Sequence, residues 1–421
     1  MAVLTEADHA LLLRLLALPT AGPLECAGPV ELWAAQRAYA EASGFTVVRH
    51  AAASLSDMDR HGVPKTVLAA AQDPAFLSCQ PSLVLRLGPE RPISHTVMFN
   101  VHLDTVAGTE PVSFDGSVFR GRGAIDAKGP AVALLAGIRD AAARDPAIGS
   151  EVSVLVQAVS GEEGGAMGTF GTRPLLERGF VGALNVFCEP TDLRYQPRAT
   201  ASATARVRVR GAGAIDDRPG DGHNATVLLG FLAAHLAEEL TGDTDGHACV
   251  AGLHTGTLHN RVYGSGDLLV NLAYATDAAG TRLTGALDRA VADGVEKFAK
   301  TFAAVPELAR TAADAAEITS VDWIKRDLPT LACHDPALDA VMARAGVPAS
   351  TDAAFTCDAI WMSGIPDTAT AVLGPGDLAA NNAHADGEFA TLADLTAFAD
   401  QVARILLAFT SSTRTEPDDR P

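Results

Sequence analysis

Positive charge is scarce in this chain. Its 421 residues carry 32 Lys and Arg against 51 Asp and Glu, a formal net charge of −19. A surface that acidic repels phosphate backbones and anionic lipid, which argues against a nucleic-acid or membrane-surface partner. Long hydrophobic runs are missing too. No uninterrupted apolar stretch reaches the roughly 18 residues that a membrane span needs. The six cysteines, Cys26, Cys79, Cys188, Cys249, Cys333 and Cys357, include no CxxC pair. A chain of this size needs no disulfide staples, so they read as reduced thiols in a cytoplasmic protein. The apolar stretch Ala10 to Pro19 has no basic region before it. Glu6 and Asp8 stand there instead and Arg14 interrupts the stretch, so it reads as an amphipathic opening helix and not as a signal peptide. No internal repeat and no low-complexity tract is visible.

What is present is ordinary globular material. Hydrophobic residues make up 48% and charged residues 20%, and the length suits two or three domains. Thr96 to Val101, Glu151 to Val159 and Ala183 to Cys188 read as buried strands, with a helix over Lys128 to Ala143. That alternation argues an α/β layered domain. The character then changes. Ala203 to Arg210 is a half-exposed strand pattern, Asn224 to Leu240 a helix, Cys249 to Leu258 and Asp267 to Ala275 two strands, Thr281 to Phe302 a helix and Glu317 to Lys325 a strand. This β-α-β-β-α-β order is the ferredoxin-like arrangement. Asp335 to Ala345 is helical again, Thr368 to Leu373 a strand and Leu392 to Phe409 a closing helix. The simplest organisation is a catalytic domain over 1–198 and 327–410, an α+β domain inserted over 199–326 and a disordered tail over 411–421.

Four polar clusters follow strand-like segments, where ligands bind in open α/β sheets. His102-Leu103-Asp104 places His102 and Asp104 on one side of its strand. Gly121-Arg122-Gly123-Ala124-Ile125-Asp126-Ala127-Lys128-Gly129 uses glycines to bring Asp126 to the start of a helix. Gly161-Glu162-Glu163-Gly164-Gly165 carries adjacent carboxylates that aim at different points. Cys188-Glu189-Pro190-Thr191 ends the third strand. A later segment, Asn381 to Glu388, contains His384. Taken alone, each has a plainer reading: a surface pair, an N-cap aspartate, an exposed acidic turn, a structural glutamate, a loop histidine. Together they fit a hydrolytic site with two divalent ions. Mixed nitrogen and oxygen donors suit Zn2+, with Co2+ or Mn2+ as alternatives.

These residues, in this order and spacing, resemble the M20 family of metallopeptidases and deacylases, which includes acetylornithine deacetylase, succinyl-diaminopimelate desuccinylase, glutamate carboxypeptidase and aminoacylase. The resemblance rests on His-Leu-Asp-Thr-Val, Gly-Arg-Gly-Ala-Ile-Asp-Ala-Lys-Gly, Gly-Glu-Glu-Gly-Gly, Glu-Pro-Thr, Gly374-Pro375-Gly376 and the closing His384, and it covers most of the chain. It implies a metal-dependent exopeptidase-like catalytic domain with an inserted ferredoxin-like lid that often carries a dimer interface. It implies Asp126 as bridging ligand, His102 and Glu189 on one metal, and Glu163 and His384 on the other. Glu162 would be the general base and Asp104 would orient His102. The reaction implied is hydrolysis of the amide bond of an N-acyl amino acid or short peptide by metal-activated water.

The lid departs from the family pattern. Family members read Gly-x-x-x-His after the first lid strand, and here Ile215 stands in the histidine's place. Losing one oxyanion donor can cost roughly 10²–10³ in rate. His223, eight positions on, is a substitute candidate, although its position turns it to face elsewhere. The third lid strand ends Leu272-Ala273-Tyr274 without the arginine that helps recognise a carboxylate. Asn260 matches the family's lid asparagine, and His259 and Arg261 are neighbouring candidates for substrate contact. Two other readings stay open: a relative repurposed to form or transfer an amide bond in specialised metabolism, and a non-catalytic metal-dependent binding protein.

Overall fold

The computed structural model describes residues 4–415. The chain divides into two compact units. His61–Lys65 and Thr200–Thr330 form the second, and the remaining described residues form the first. Among the described residues no helix is long and apolar enough to cross a membrane.

The first unit is built on a six-stranded sheet. Its strands lie in the order Thr46–Ala52, Pro81–Leu87, Ser153–Val159, Thr96–His102, Leu184–Phe187 and Ala369–Val372. The last four run parallel to one another, and the first two add an antiparallel edge. Every residue of Thr96–His102 and Ser153–Val159 is buried. Parallel strands covered on both faces read as continuous apolar runs, which is why their sequence shows no alternation. The helix Lys128–Arg144 supplies much of the cover. Ala131 to Ile138 along it are buried, and it packs against the long helix Leu392–Thr415 and the opening helix Glu6–Leu16. Thr5 begins that opening helix with a capping box, its hydroxyl exchanging hydrogen bonds with Asp8. A small sheet of Ser113–Phe114, Val118–Arg120 and Phe389–Thr391 joins two loops distant in sequence.

The second unit is a four-stranded antiparallel sheet in the order Gly246–His254, Ser265–Tyr274, Ala201–Arg210 and Thr319–Lys325. Burial alternates residue by residue along the two inner strands, so one face meets helices Ala225–Glu239 and Asp277–Phe302 while the other is polar. On the polar face Arg208 pairs with Asp267 and Asp322, and Lys65 pairs with Asp322. This is the expected ferredoxin-like order.

Some boundaries differ from expectation. A helix, Ala309–Ile318, precedes the last strand of the second unit and takes Glu317 and Ile318 into its own turns. Its Thr311, Ala312 and Ala315 are buried, a spacing that a strand could not bury on one side. The closing helix passes Phe409 and residue 411, where a disordered tail was expected, and runs to Thr415. Arg414 anchors that turn, with Nη1 3.1 Å from Asp145 and Nε 3.2 Å from Glu151. The rest of the expected tail lies outside the described residues.

Candidate metal centre

His102 is the last residue of a central strand and is buried. Its Nδ1–H donates to the carbonyl oxygen of Asp104 at 2.9 Å. A carbonyl can only accept, so Nδ1 carries a proton and Nε2 is the atom presented to the site. Nε2 lies 2.8 Å from Asp126 Oδ1 and 3.8 Å from Glu189 Oε1. Asp126 reaches this point from the loop before helix Lys128–Arg144. Gly123 has φ +88°, and a Cβ there would fall 2.8 Å from Lys128 Cδ, so only glycine allows the loop its course.

The other oxygen of Asp126 serves a second histidine. His384 Nε2 lies 3.0 Å from Asp126 Oδ2 and 2.9 Å from Glu163 Oε1. Glu163 follows strand Ser153–Val159, and Glu189 follows strand Leu184–Phe187. The loop carrying His384 is tightly wound. Asn382 and His384 have φ of 55° and 62°, a region that side chains other than glycine enter rarely. His384 is half exposed, whereas Asp126 and His102 are buried.

The structure thus brings together all five residues expected as metal ligands, His102, Asp126, Glu163, Glu189 and His384. One nitrogen or oxygen atom from each of His102, Asp126 and Glu163 falls within 4.8 Å of the others. Glu162 sits beside them, close enough that the charges of Glu189 and Glu163 act on it. Asp104 takes a different part from the one expected. Its carboxylate is 3.7 Å from His102 Nδ1, too long for a hydrogen bond, and accepts instead from the backbone N–H of Glu163 at 3.1 Å. The His102 ring is oriented by the Asp104 backbone, and the side chain steadies the Glu163 loop.

Sequence reasoning missed Asp358. It opens a 3₁₀ turn, Asp358–Met362, and is buried. Its Oδ2 accepts from the Thr172 hydroxyl at 2.5 Å, and Thr172 in turn accepts from Asn100 at 3.1 Å. Gly168, with φ +61°, makes room for it: a Cβ there would fall 2.4 Å from the carboxylate. No pattern around Asp358 in the chain distinguishes it from a solvent-facing aspartate.

The electrostatics are those of a site short of positive charge. Burial raises Glu162, Glu189 and Glu163 above the usual carboxylate range, and the neighbouring carboxylates push in the same direction. Burial likewise pushes Asp358 up to about 7, with Asp104 and Glu163 adding to it. Only Asp126 is held low. Burial opposes this, but hydrogen bonds from His102 and His384 outweigh it. Hydrogen bonds to Asp126 and Glu163 raise His384 to about 10. Burial draws Lys128 down to about 7, so it is a weak counter-charge. One oxygen each of Asp104 and Asp358 is buried without a hydrogen-bond partner. Imidazole nitrogens and carboxylate oxygens converging under such a charge deficit are the donor set of a divalent cation. A proton and a metal compete for the same imidazole lone pairs.

The three residues expected at the substrate fare differently. His223 faces its own unit. It is buried in the second unit, its Nδ1 accepts from the Ala212 backbone N–H at 2.9 Å, and its Nε2 lies 3.0 Å from Asp314. Both nitrogens are occupied in holding the loop after Ala201–Arg210, so the ring has nothing left to offer a substrate. Asn260 and Arg261 are exposed on the same unit. Arg261 pairs with Ile215 in a short ribbon, and Ile215 is 55% exposed.

Comparison with known proteins agrees with this chemistry. The model of the family described as peptidase family M20/M25/M40 matches residues 98–408. An Aeropyrum pernix protein assigned as a LysW-lysine/LysW-ornithine hydrolase is 31% identical over 178 residues, which are 41% of this chain and 46% of that protein. The match therefore spans less than half of that relative's length. A Staphylococcus aureus tripeptidase superposes with a TM-score of 0.70 at 14% identity, covering 97% of this chain and all of its own. A Bacillus subtilis protein described as a dinuclear metal binding peptidase superposes with a TM-score of 0.60 at 11% identity, covering 95% of this chain and 98% of its own. At such identities the two superpositions show a shared fold.

Proposed function

Since the chain belongs to the peptidase family M20/M25/M40, we propose that this metallohydrolase holds two divalent ions, with zinc as the first candidate, and cleaves the amide bond of an N-acyl amino acid or short peptide. The observation that carries the proposal is the division of Asp126. One of its oxygens faces His102 with Glu189 beyond, and the other faces His384 with Glu163. A single carboxylate so shared is suited to bridge two cations. The dinuclear metal binding of the B. subtilis neighbour supports the count. The activities named for the S. aureus and A. pernix proteins support an amide of an amino acid as substrate.

Bound divalent ions would lower the pKa of water and polarise the substrate carbonyl. The chain's own residues do the rest. Glu162 takes the proton from the attacking water and returns it to the departing amine. Burial, the largest cause of its raised proton affinity, suits it to that exchange. Asp104 keeps the Glu163 loop and the His102 ring in register with each other. Isoleucine stands at position 215, so no imidazole is offered to the carbonyl oxygen from there, and bound ions would be left to stabilise it.

The test is amine release from a panel of N-acyl amino acids and dipeptides, using chelated protein, zinc-reloaded protein and the reloaded Glu162→Gln variant. Release by reloaded protein alone, lost in the variant while metal content stays the same, is the expected result. Release that survives chelation would overturn the metal-dependent reading. Residual turnover above a few per cent in the variant would overturn the role of Glu162.

A further inference from the structure

Glu388 lies four residues beyond His384 and is buried, with 1% of its surface exposed. Its place is set by the small sheet. Phe389 pairs with Arg120 in the antiparallel register of Phe389–Thr391 on Val118–Arg120. The two chains leaving that ladder are therefore neighbours, and Gly121 N–H donates to the Glu388 carbonyl at 3.2 Å. One chain leads to Asp126 and the other comes from His384.

The Glu388 carboxylate then closes the gap between them. Oε2 accepts from Arg122 Nη1 at 2.8 Å and from the Gly123 N–H at 3.0 Å. Oε1 accepts from the N–H groups of Ile125 at 3.1 Å and Asp126 at 3.2 Å. A carboxylate has about four acceptor positions, and here all are used. Arg122 completes the tie, because its Nη2 donates at 3.1 Å to the carbonyl of Ala385, next to His384. Three of the four donors are main-chain groups of the segment that ends in Asp126, so the carboxylate fixes the path of that backbone and not a side-chain rotamer.

We propose that Glu388 is a positioning residue for the metal centre. It holds the backbone of Asp126 against the loop of His384, so that the two oxygens of Asp126 meet both histidines at once. The inference rests on the metal-binding reading above. A glutamine at 388 would turn an N–H₂ group toward N–H donors and leave Arg122 buried without its counter-charge. An aspartate would keep the charge but lose the reach of one methylene, so that it could no longer serve all four donors.

The experiment measures zinc affinity by competition with a chromogenic chelator, together with the visible spectrum of the Co2+-loaded protein, for the wild type, Glu388→Gln and Glu388→Asp. Thermal melts confirm that each variant is folded. Both variants are expected to bind zinc about 10–100-fold more weakly, the range found when a partner of a metal ligand is removed, and to change the Co2+ bands. A residue that only stapled two loops would lower the melting temperature and leave affinity and bands unmoved, and that result would overturn the proposal. If the glutamine variant does not fold, the aspartate variant decides, because it keeps Arg122 paired. A wild type that binds no divalent metal would instead sink the reading on which this one rests. A wild type that binds zinc no better than its folded variants would sink this one alone.

Discussion

His102 and His384 in the first unit each face carboxylates brought by separate loops, with Asp126 shared between them. His223 in the second unit also lies in a glycine-rich polar loop, yet it divides its ring between a backbone N–H and Asp314. In sequence His384 and His223 look alike, each a histidine in a polar loop. They differ in what their partners still lack. Asp314 and the Ala212 amide balance His223 and leave nothing over. Around His102 and His384 the carboxyl groups outnumber the cations, and several are raised by burial and by one another. A polar residue spent on its own fold ends in a balanced network, and a residue kept for a ligand ends in an unbalanced one.

Four substitutions test that contrast, the largest effect first. Glu162→Gln removes the proton carrier, and amine release should fall by about 10²–10⁴-fold while zinc content by atomic emission stays at the wild-type level. His223→Ala should do the opposite. It should cost about 1–3 kcal/mol, the price of orphaning buried hydrogen-bonding groups, as read by urea unfolding, with kcat unchanged. A large loss of kcat at full folding would return His223 to the substrate and erase the contrast.

Asp358→Asn is a subtler probe, of the charge balance itself. Burial lifts the folded carboxyl to about 7, against about 3.9 in an unfolded chain. The folded state then holds the proton more tightly. The contribution of Asp358 to the stability of the metal-free protein is complete below about pH 4 and is lost as pH rises toward 7. Asparagine cannot ionise, so melting temperatures of the metal-free variant should fall less steeply than the wild type's across that window. Parallel curves would mean that Asp358 is not under the strain inferred for it. The smallest effect belongs to Ile215→His. Ile215 is 55% exposed, so stability should move by no more than about 0.5 kcal/mol. Turnover should also hold if the site works without a donor at that position. A gain approaching the roughly 10²–10³-fold that one oxyanion donor supplies would show that position 215 lacks a group the chemistry needs.

The strand-end residues were readable in the chain because their cause is local. An apolar run that stops at His102, or two residues short of Glu189, marks a buried strand whose end opens on a polar loop, and glycines at 121 and 123 mark a backbone that must turn sharply. The four-stranded second unit was readable for the same reason, since alternation along Ala201–Arg210 and Ser265–Tyr274 reports one covered face. Asp358 was not readable, because its neighbour Thr172 lies 186 positions away. The partners of His223 were not readable, because a histidine's local sequence does not say what its ring meets: Asp314 lies 91 positions away. The helix Ala309–Ile318 was missed although its buried Thr311, Ala312 and Ala315 fall at helical spacing.

By itself, then, the order of residues determined which side chains stand at strand ends, the alternation that builds each sheet and the supply of imidazole and carboxylate for a cation. Those properties follow from φ and ψ preferences and from the period of hydrophobic burial, both local to a few residues. Only the tertiary structure decided which oxygen of Asp126 faces which histidine, that the Asp104 carboxylate serves the Glu163 loop and that Glu388 grips a backbone more than 260 residues away. Such contacts depend on which strands lie side by side. That choice is made by burying the whole sheet and its helices at once, and no short segment of the chain contains it.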